Sequence, residues 1–236
     1  MMKEHIVKGF DRDLEAIQAM IMKMGGLVEV AISNAAKSLE TRDLELADEV
    51  RRNDKVIDDL EEQIQDECAS ILALRQPTAS DLRTVLTVMK IAGNLERIGD
   101  YAKNLAKRTS VLVHLSPIEG TSGAIRRMAR EVELMLKDVL DAYIQRDADL
   151  ALDVRNRDHD VDQMYNALFR EFLTFMMEDP RNITACMHLH FIAKNIERAG
   201  DHATSIADQV IYLVTGDTPE EARPKADSTS YERTEG

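Results

Sequence analysis

Apolar residues recur every three to four positions along most of the chain, which is the spacing of helices that bury one face. Proline interrupts this pattern at each of its five occurrences, because proline cannot continue a helix. An aromatic content of only 4% and the lack of tryptophan also favour helices over sheets. The spacing therefore predicts an all-α protein with six helices, over residues 5–39, 43–75, 80–114, 121–145, 147–178 and 182–215.

The second half of the chain repeats the first. The segment that begins at Arg42-Asp43 returns at Arg146-Asp147 with its charged and apolar positions in register, at an offset of 104 residues. Residues 94–100 return as residues 195–201 at an offset of 101. A period of about 100 residues is too long for a solenoid repeat, so the duplication predicts two tandem pseudo-symmetric three-helix bundles. We expect these repeats, and a disordered acidic C-terminal tail, over residues 1–116, 117–215 and 216–236 respectively.

Eight acidic residues lie within the apolar faces of the predicted helices. They form four pairs with a spacing of four residues, so the two carboxylates of a pair project to the same side of their helix. Two like charges one turn apart in a buried stripe repel each other and are costly to remove from water. A positive charge must therefore neutralise them. The pairs are Asp54 and Asp58, Glu96 and Asp100, Asp158 and Asp162, and Glu197 and Asp201.

Two sources of positive charge are open to these acids. Arginine would supply it within the protein, but Arg97 and Arg198 lie about 100° from the acids on their helices, which suits them poorly as direct partners. A metal ion binds several carboxylates at once, and His190, two turns before Glu197, offers a nitrogen ligand in the second repeat. We therefore predict that all eight acids are metal ligands, and that the ion is iron, zinc, manganese or magnesium.

Charge, cysteine usage and motif content exclude several classes of protein. With 30 basic and 43 acidic residues, the net charge is −13, which disfavours binding to nucleic acid or directly to anionic lipid. The longest unbroken apolar run has about five residues and predicts no membrane span. Cys68 and Cys186 stand apart in apolar segments, which fits a reducing cytoplasm. The sequence contains no Walker loop, nucleophile elbow or Glu-x-x-His pair, so we predict that the protein is not an enzyme.

Two alternative functions share these features of the sequence. A metalloenzyme built on a carboxylate bundle requires an open coordination position at the ion, and it predicts turnover. A helical interaction scaffold without metal would leave its acids solvated, and a chelator would not change its melting temperature. The residues alone leave both alternatives open.

The acidic pairs stand in segments that resemble the PhoU family of bacterial phosphate-signalling proteins. Beyond these Glu/Asp-x-x-x-Asp pairs, residues 75–83 (RQPTASDLR) are similar to the interhelical loop and third-helix start of the family. Residues 24–26 (MGG) are a lesser match, and the second repeat has MEDP at 177–180 in place of the loop motif. Within the loop, Thr78 and Asp81 have the spacing of a helix N-cap box.

The resemblance implies two three-helix bundles that carry multinuclear iron or other transition-metal clusters on the paired motifs. It also implies a cytoplasmic negative regulator of phosphate uptake and of phosphate-starvation signalling. The implied partners are the ATPase subunit of a phosphate ABC transporter and a sensor histidine kinase, and the protein reaches the membrane only through them. We expect a homodimer, because helical bundles pair through leftover apolar stripes. The expected partner-binding residues are Arg75, Gln76, Arg83, Arg97 and Arg198.

Overall fold

The computed structural model describes residues 2–75 and 77–219, and over these ranges the chain is helical and contains no strand. All six predicted helices are present, with boundaries that differ from the predicted ones by a few residues. A short 3₁₀ turn, Pro180–Asn182, joins the last two helices. Most of the predicted tail, residues 220–236, lies outside the described residues. The helices are α1 (Met2–Thr41), α2 (Leu44–Arg75), α3 (Ala79–Leu112), α4 (Thr121–Gln145), α5 (Ala148–Glu178) and α6 (Ile183–Thr215).

An Arg-Asp pair forms the first interhelical turn of each repeat. Arg42 and Arg146 both have a left-handed backbone, with φ of 56°, which ends the preceding helix. The aspartate that follows then caps the next helix. Asp43 accepts a hydrogen bond from the Leu46 N–H at 3.0 Å, and Asp147 accepts from two N–H groups in the first turn of α5. The repeated pair thus produces the same tight reversal in both halves.

The start of α3 differs from the predicted N-cap box. Thr78 occupies the cap position, but its side chain makes no hydrogen bond to the backbone of the helix. Its hydroxyl instead donates to Asp81 Oδ2 at 3.2 Å. The predicted box is therefore wrong in its hydrogen bonding, because a capping hydroxyl has to accept from a backbone N–H of the first turn.

Helices α1, α2 and α3 pack against one another, as do α4, α5 and α6, and the two sets meet through the pairs α1–α4 and α3–α6. Apolar stripes fill the interior; Ile21, Met24 and Val28 of α1 are fully buried. Helices α3 and α6 run antiparallel, since Arg83 near the start of α3 stacks on Tyr212 near the end of α6. The predicted all-α architecture of two three-helix bundles is confirmed.

An approximate two-fold axis passes between α3 and α6. Tyr101 and His202 occupy equivalent positions in the two repeats and contact each other. The Tyr101 hydroxyl lies 3.5 Å from Nε2 of His202, and the two ring centroids are 5.7 Å apart. A residue meets its own repeat equivalent only near a symmetry axis. The acidic pairs of α2 and α3 are therefore related by this axis to those of α5 and α6.

Helix α1 contains one stretch, Arg12–Thr41, that is long and apolar enough to cross a membrane by length and composition. The longest unbroken apolar run in the sequence did not predict this stretch, because polar residues divide it. Its apolar side chains, among them Ile17 and Ile32, are buried within the bundle core. Packing against the neighbouring helices accounts for the apolar character of α1.

Candidate metal centres

The first acidic cluster lies where α2 and α3 face each other. Asp54 and Asp58 belong to α2, and Glu96 and Asp100 belong to α3. Lys103, one turn after Asp100, places its Nζ 2.5 Å from Asp54 Oδ2 and 3.4 Å from Asp100 Oδ1. The Asp54 side chain is only 5% exposed, so this ammonium group neutralises a buried carboxylate. Lys103 was not among the predicted sources of positive charge.

Arg97 borders the first cluster on its solvent side. Its guanidinium lies 3.6 Å from Glu96 Oε2 and 3.9 Å from Asp100 Oδ2. The expectation that its angular position keeps it away from the acids is therefore wrong, because a long, exposed side chain can turn back along the helix surface. Exposed pairs at such distances contribute little to stability, so the arginine does not replace the lysine.

The four acids of the first cluster differ in burial. Asp54 is buried, Glu96 and Asp100 are half-buried, and Asp58 is exposed. The prediction that both members of every pair lie inside the buried stripe is therefore wrong for Asp58. A spacing of four residues turns a side chain by about 40° around the helix, and this turn moves Asp58 to the edge of the covered face.

The second acidic cluster lies at the equivalent position between α5 and α6 and is more deeply buried. Asp158, Asp162 and Glu197 are buried, and Asp201 is half-buried. Lys194, one turn before Glu197, places its Nζ 2.9 Å from Glu197 Oε1. This lysine was also missed, although both lysines stand three positions from a motif acid, a spacing at which helical side chains meet.

A glycine in each motif lets the acid-bearing helices approach closely. A Cβ atom on Gly99 would lie 3.2 Å from Ile57 Cδ1 and 3.8 Å from Asp54 Oδ1, both on the neighbouring α2. A Cβ atom on Gly200 would lie 3.7 Å from Asp158 Oδ1 on α5. The missing side chain thus leaves room for a carboxylate of the adjacent helix beside the motif.

Burial raises the pKa of Asp54, Glu96 and Glu197 above their ordinary values. Lys103 and Lys194 oppose this rise in pKa at the two carboxyls that they contact. Other acids of the same cluster, from both of its helices, raise these pKa values further. The carboxylates of a cluster therefore share one electrostatic environment, which favours a bound cation.

Two buried carboxylate oxygens, Asp54 Oδ1 and Glu197 Oε2, have no hydrogen-bond partner among the described residues. Their side chains are 5% and 6% exposed, so each oxygen bears a desolvation cost that a ligand would remove. As the side chains lie, no three His, Cys, Asp or Glu residues within 2–75 and 77–219 converge closely enough to hold a metal ion. The donor chemistry fits a metal, and binding requires the amines of Lys103 and Lys194 to move aside.

His190 lies within a group of aromatic rings. Its ring centroid is 5.5 Å from that of Phe169, 5.7 Å from that of Phe191 and 6.0 Å from that of Tyr165. The half-buried imidazole therefore has a packing role. Its role as a metal ligand stays a prediction.

The structure gives two of the predicted partner-binding residues contacts within the fold. Arg75 donates two hydrogen bonds to Asp13 Oδ2, at 2.9 Å and 3.2 Å, and so ties the end of α2 to α1. Arg83 stacks on an aromatic ring of α6. Arg198 is exposed, and Gln76 lies outside the described residues. Partner binding by these residues stays a prediction.

Comparison with known proteins identifies the family of the chain. Residues 21–109 and residues 125–210 each match the model of the PhoU domain. The chain belongs to the PhoU family. The PhoU homologue of Rhizobium meliloti (strain 1021) is 45% identical over 237 residues, which cover 98% of this chain and 97% of the relative. The PhoU homologue of Caulobacter vibrioides (strain NA1000 / CB15N) is 44% identical over 229 residues, 97% and 100% of the two chains.

Two crystal structures of PhoU proteins have the same fold. PhoU from Pseudomonas aeruginosa superimposes with a TM-score of 0.85 at 41% identity, over 88% of this chain and all of that one. The phosphate transport system regulatory protein PhoU from Streptococcus pneumoniae gives a TM-score of 0.83 at 30% identity, over 90% of this chain and 100% of that one. The Rhizobium meliloti relative is named an accessory protein and the Streptococcus pneumoniae protein a regulatory protein. These names confirm the prediction that the present protein is not an enzyme.

Proposed function

We propose that this PhoU protein is a metal-binding regulator of phosphate transport. The relatives in Rhizobium meliloti and Caulobacter vibrioides are named phosphate-specific transport system accessory protein PhoU homologues. Their similarity extends over nearly the whole of both chains, and the fold is shared with crystal structures of PhoU. This agreement over full length supports carrying the regulatory role over to the present chain.

Metal binding is proposed at the eight acids, with one cluster in each repeat. The observation that carries this proposal is the pair of buried carboxylate oxygens without a hydrogen-bond partner, Asp54 Oδ1 and Glu197 Oε2. A bound cation would supply positive charge at both the desolvated and the mutually repelling carboxylates. Oxygen ligands suit iron, manganese or magnesium, and a contribution from His190 would suit zinc.

The chain's own lysines take part in this proposal. Lys103 and Lys194 supply the positive charge that each cluster needs before an ion binds. An ion and an ammonium group cannot occupy the same position between carboxylates, so ion binding displaces each lysine from its carboxylate. The displaced amine is then exposed near the surface, where a partner protein can detect it.

We further propose that the protein acts in the cytoplasm as a negative regulator between the ATPase subunit of a phosphate ABC transporter and a sensor histidine kinase. Family membership supports this placement, and a net charge of −13 favours contact with proteins over contact with anionic lipid. A homodimer is part of the same proposal. The residues proposed for partner contacts are Arg75, Gln76, Arg83, Arg97 and Arg198.

Metal analysis of protein purified without added metal tests the metal proposal. We expect bound transition metal in the wild type and a loss of about half of it in Asp100→Ala and in Asp201→Ala, because each variant removes a ligand from one cluster. Asp160→Ala, an exposed acid beside the second cluster, is the matched control and retains the metal. Unchanged metal content in both cluster variants contradicts the ligand assignment.

Thermal melts of the same samples distinguish a metal-binding protein from a scaffold without metal. A chelator lowers the melting temperature if ions stabilise the fold, because removing a ligand of the native state removes its share of stability. If the wild type contains no metal, and neither chelator nor added metal changes its melting temperature, the protein is the metal-free scaffold. The lysines then neutralise the acids without an ion.

Capture experiments with purified components test the partner proposal. We expect the immobilised protein to retain the transporter ATPase subunit and the sensor kinase, and Arg198→Glu to weaken this retention. Lys107→Glu changes an exposed residue of α3 outside the proposed set and serves as the control. Failure to retain either partner at both low and high phosphate contradicts the coupling role.

A further inference from the structure

A cleft of about 470 Å³ opens beside the second acidic cluster, and Lys194, which pairs with Glu197 of that cluster, lines it. It lies between the C-terminal half of α3 and the N-terminal half of α6, and Tyr165 of α5 closes one side. Arg108 and Lys194 belong to its lining, together with the exposed Arg198. The cleft therefore spans the contact between the two bundles.

The lining of this cleft is cationic in a chain that is strongly acidic overall. It contains the guanidinium groups of Arg108 and Arg198 and the ammonium group of Lys194, and no carboxylate from residues 2–75 or 77–219 lines it. Neither arginine forms an ion pair with an acid in the part of the chain that the structure describes. Asn104 and Asn195 add neutral amide donors to the same lining.

Arg108 is held in position by an aromatic ring. Its guanidinium lies 4.3 Å from the centre of the Phe191 ring, and its Nη1 lies 3.4 Å from His188 Nδ1. Stacking of this kind restrains the guanidinium plane and leaves N–H groups at its edge available to an acceptor. Lys194 is restrained in the same way, with Nζ 4.7 Å from the centre of the Tyr165 ring. The cations of the cleft are thus partly preorganised.

The duplication supplies an internal comparison for the cleft. The repeat equivalents of the lining residues are different. Gln209 is equivalent to Arg108, Gly93 to Lys194 and Glu61 to Tyr165. The equivalent of Arg198 is Arg97, which lies within 4 Å of two acids of the first cluster. The symmetry-equivalent surface beside the first acidic cluster has Lys90 in place of Phe191, so it has two cations against three and it contains an acid. The combination of Arg108 with Lys194 therefore occurs in one copy only and does not follow from the repeated motif.

We propose that this cleft binds a small tetrahedral oxyanion of the phosphate type. Arginine forks match the oxygen geometry of phosphate, a lysine adds a point charge, and asparagine amides donate to the remaining oxygens. The net charge of −13 disfavours a nucleic acid as the ligand of a cleft with three cationic side chains. The proposal goes beyond the regulatory role and is tested without metal, because Lys194 lines the cleft and also pairs with Glu197 of the second cluster.

Equilibrium dialysis of the full chain against radiolabelled inorganic phosphate, in the presence of chelator, tests this proposal. We expect saturable binding by the wild type and an affinity about tenfold lower in Arg108→Gln and in Arg198→Gln. Arg108→Gln introduces the residue that α6 has at the equivalent position, Gln209. Lys107→Gln, which removes an exposed cation of α3 outside the cleft, is the control and keeps the wild-type affinity.

Competing ligands identify the source of the phosphate group. Displacement by glycerol phosphate as well as by unlabelled phosphate supports a site for phosphate monoesters, and displacement by inorganic phosphate alone supports a site for the free ion. Absence of saturable binding to the wild type overturns the proposal. It is also overturned if both cleft variants keep the wild-type affinity, or if Lys107→Gln loses as much affinity as they do. Circular dichroism of each variant verifies that the helices are retained.

Discussion

The two bundles carry acids at equivalent positions, but different residues neutralise them. In the first bundle Lys103 follows the motif by one turn, and the equivalent residue of α6 is Thr204. In the second bundle Lys194 lies one turn before Glu197, and the equivalent residue of α3 is Gly93. The halves therefore share their carboxylates and not their lysines. The difference indicates that the acids serve a common purpose, whereas each lysine is a local means of neutralising them.

The second bundle also depends more on buried charge. Arg155 of α5 is 6% exposed, and its Nε lies 3.0 Å from Asp208 Oδ1 of α6. Its repeat equivalent, Arg51, is 45% exposed and pairs at 2.9 Å with Asp48 of the same helix. The pair of Arg155 with Asp208 joins two helices, whereas the pair of Arg51 with Asp48 lies on the surface of one helix. We expect mutations of equivalent residues to have unequal effects in the two bundles.

The largest expected difference is between Arg155→Met and Arg51→Met. Loss of Arg155 removes a buried guanidinium and leaves Asp208, which is 30% exposed, without that partner, so we expect the free energy of unfolding to fall by about 3 kcal/mol. Loss of Arg51 removes an exposed pair within one helix and should cost less than about 0.5 kcal/mol. Urea denaturation of both variants measures the difference. Equal losses would show that the second bundle does not depend more on its buried charge.

Replacing the neutralising lysines has the next largest effect. Without metal, Lys194→Met leaves Glu197 as a buried charge without its ion pair, and we expect a loss of about 2 kcal/mol. Lys103→Met should cost less, because Lys103 is 42% exposed and Arg97 remains beside the cluster. Lys137→Met, which removes an exposed pair, is the control.

Added manganese provides a second measurement on these lysine variants. The ion should restore more stability to Lys103→Met and Lys194→Met than to the wild type, because it no longer has to displace an amine. Thermal melts with and without manganese measure this gain. Equal gains in the variants and the wild type would mean that ion and amine do not compete.

The stability of the metal-free protein should depend on pH with the sign set by the raised pKa of Glu197. A carboxyl with a higher pKa in the folded than in the unfolded chain stabilises the fold at low pH, and this contribution is lost as the pH rises through the folded pKa. We therefore expect the wild type to gain stability relative to Glu197→Gln as the pH falls from 7 towards 4.5, the ordinary value. Asp54→Asn should give the same sign in the first bundle.

Asp179 provides the control for this pH series. Its hydrogen bonds with Arg181 lower its pKa, so the stability difference between the wild type and Asp179→Asn should stay constant from pH 7 to 4.5 and should shrink only as the pH falls below 3.8, the ordinary value for this carboxyl. Melting temperatures at matched ionic strength measure all three variants. A stability difference between the wild type and Glu197→Gln that does not change with pH would contradict the desolvation of this carboxyl.

The smallest expected difference lies in the motif glycines. Alanine in place of glycine stabilises a helix by about 1 kcal/mol, and Gly200→Ala should retain much of that gain, since its Cβ meets Val161 at 3.4 Å. Gly99→Ala should lose the gain, because its Cβ meets Ile57 Cδ1 at 3.2 Å. Ile57→Val introduces the residue of the second bundle and should partly rescue Gly99→Ala, because it removes Cδ1 but keeps Cγ2, which lies 3.3 Å from the added Cβ. Thermal unfolding of the single and double variants checks this, and no rescue would exclude the Cδ1 contact as the cause.

The sequence predicted the six helices because apolar periodicity and proline positions report local structure directly. The duplication then predicted the two bundles, which the structure confirms. The burial of the acids was harder to predict. A helical wheel gives the angular position of Asp58 on its own helix, but the neighbouring helix determines how much of that face is covered. The pairing of Lys103 and Lys194 with the acids was not predicted, because it depends on how far each lysine side chain extends from its helix. The cationic cleft depends on the register of α3 against α6, which no local pattern encodes.

The central claim is that the acidic cluster of each bundle binds a metal ion. Anomalous diffraction from crystals of chelator-treated protein soaked in dilute manganese tests it, since manganese also enters iron and magnesium sites. We predict one or more anomalous peaks beside Glu96 and Asp100, others beside Glu197 and Asp201, and both neutralising lysines turned away from their carboxylates. Crystals with no peak at either cluster and with both lysines still paired would contradict the claim.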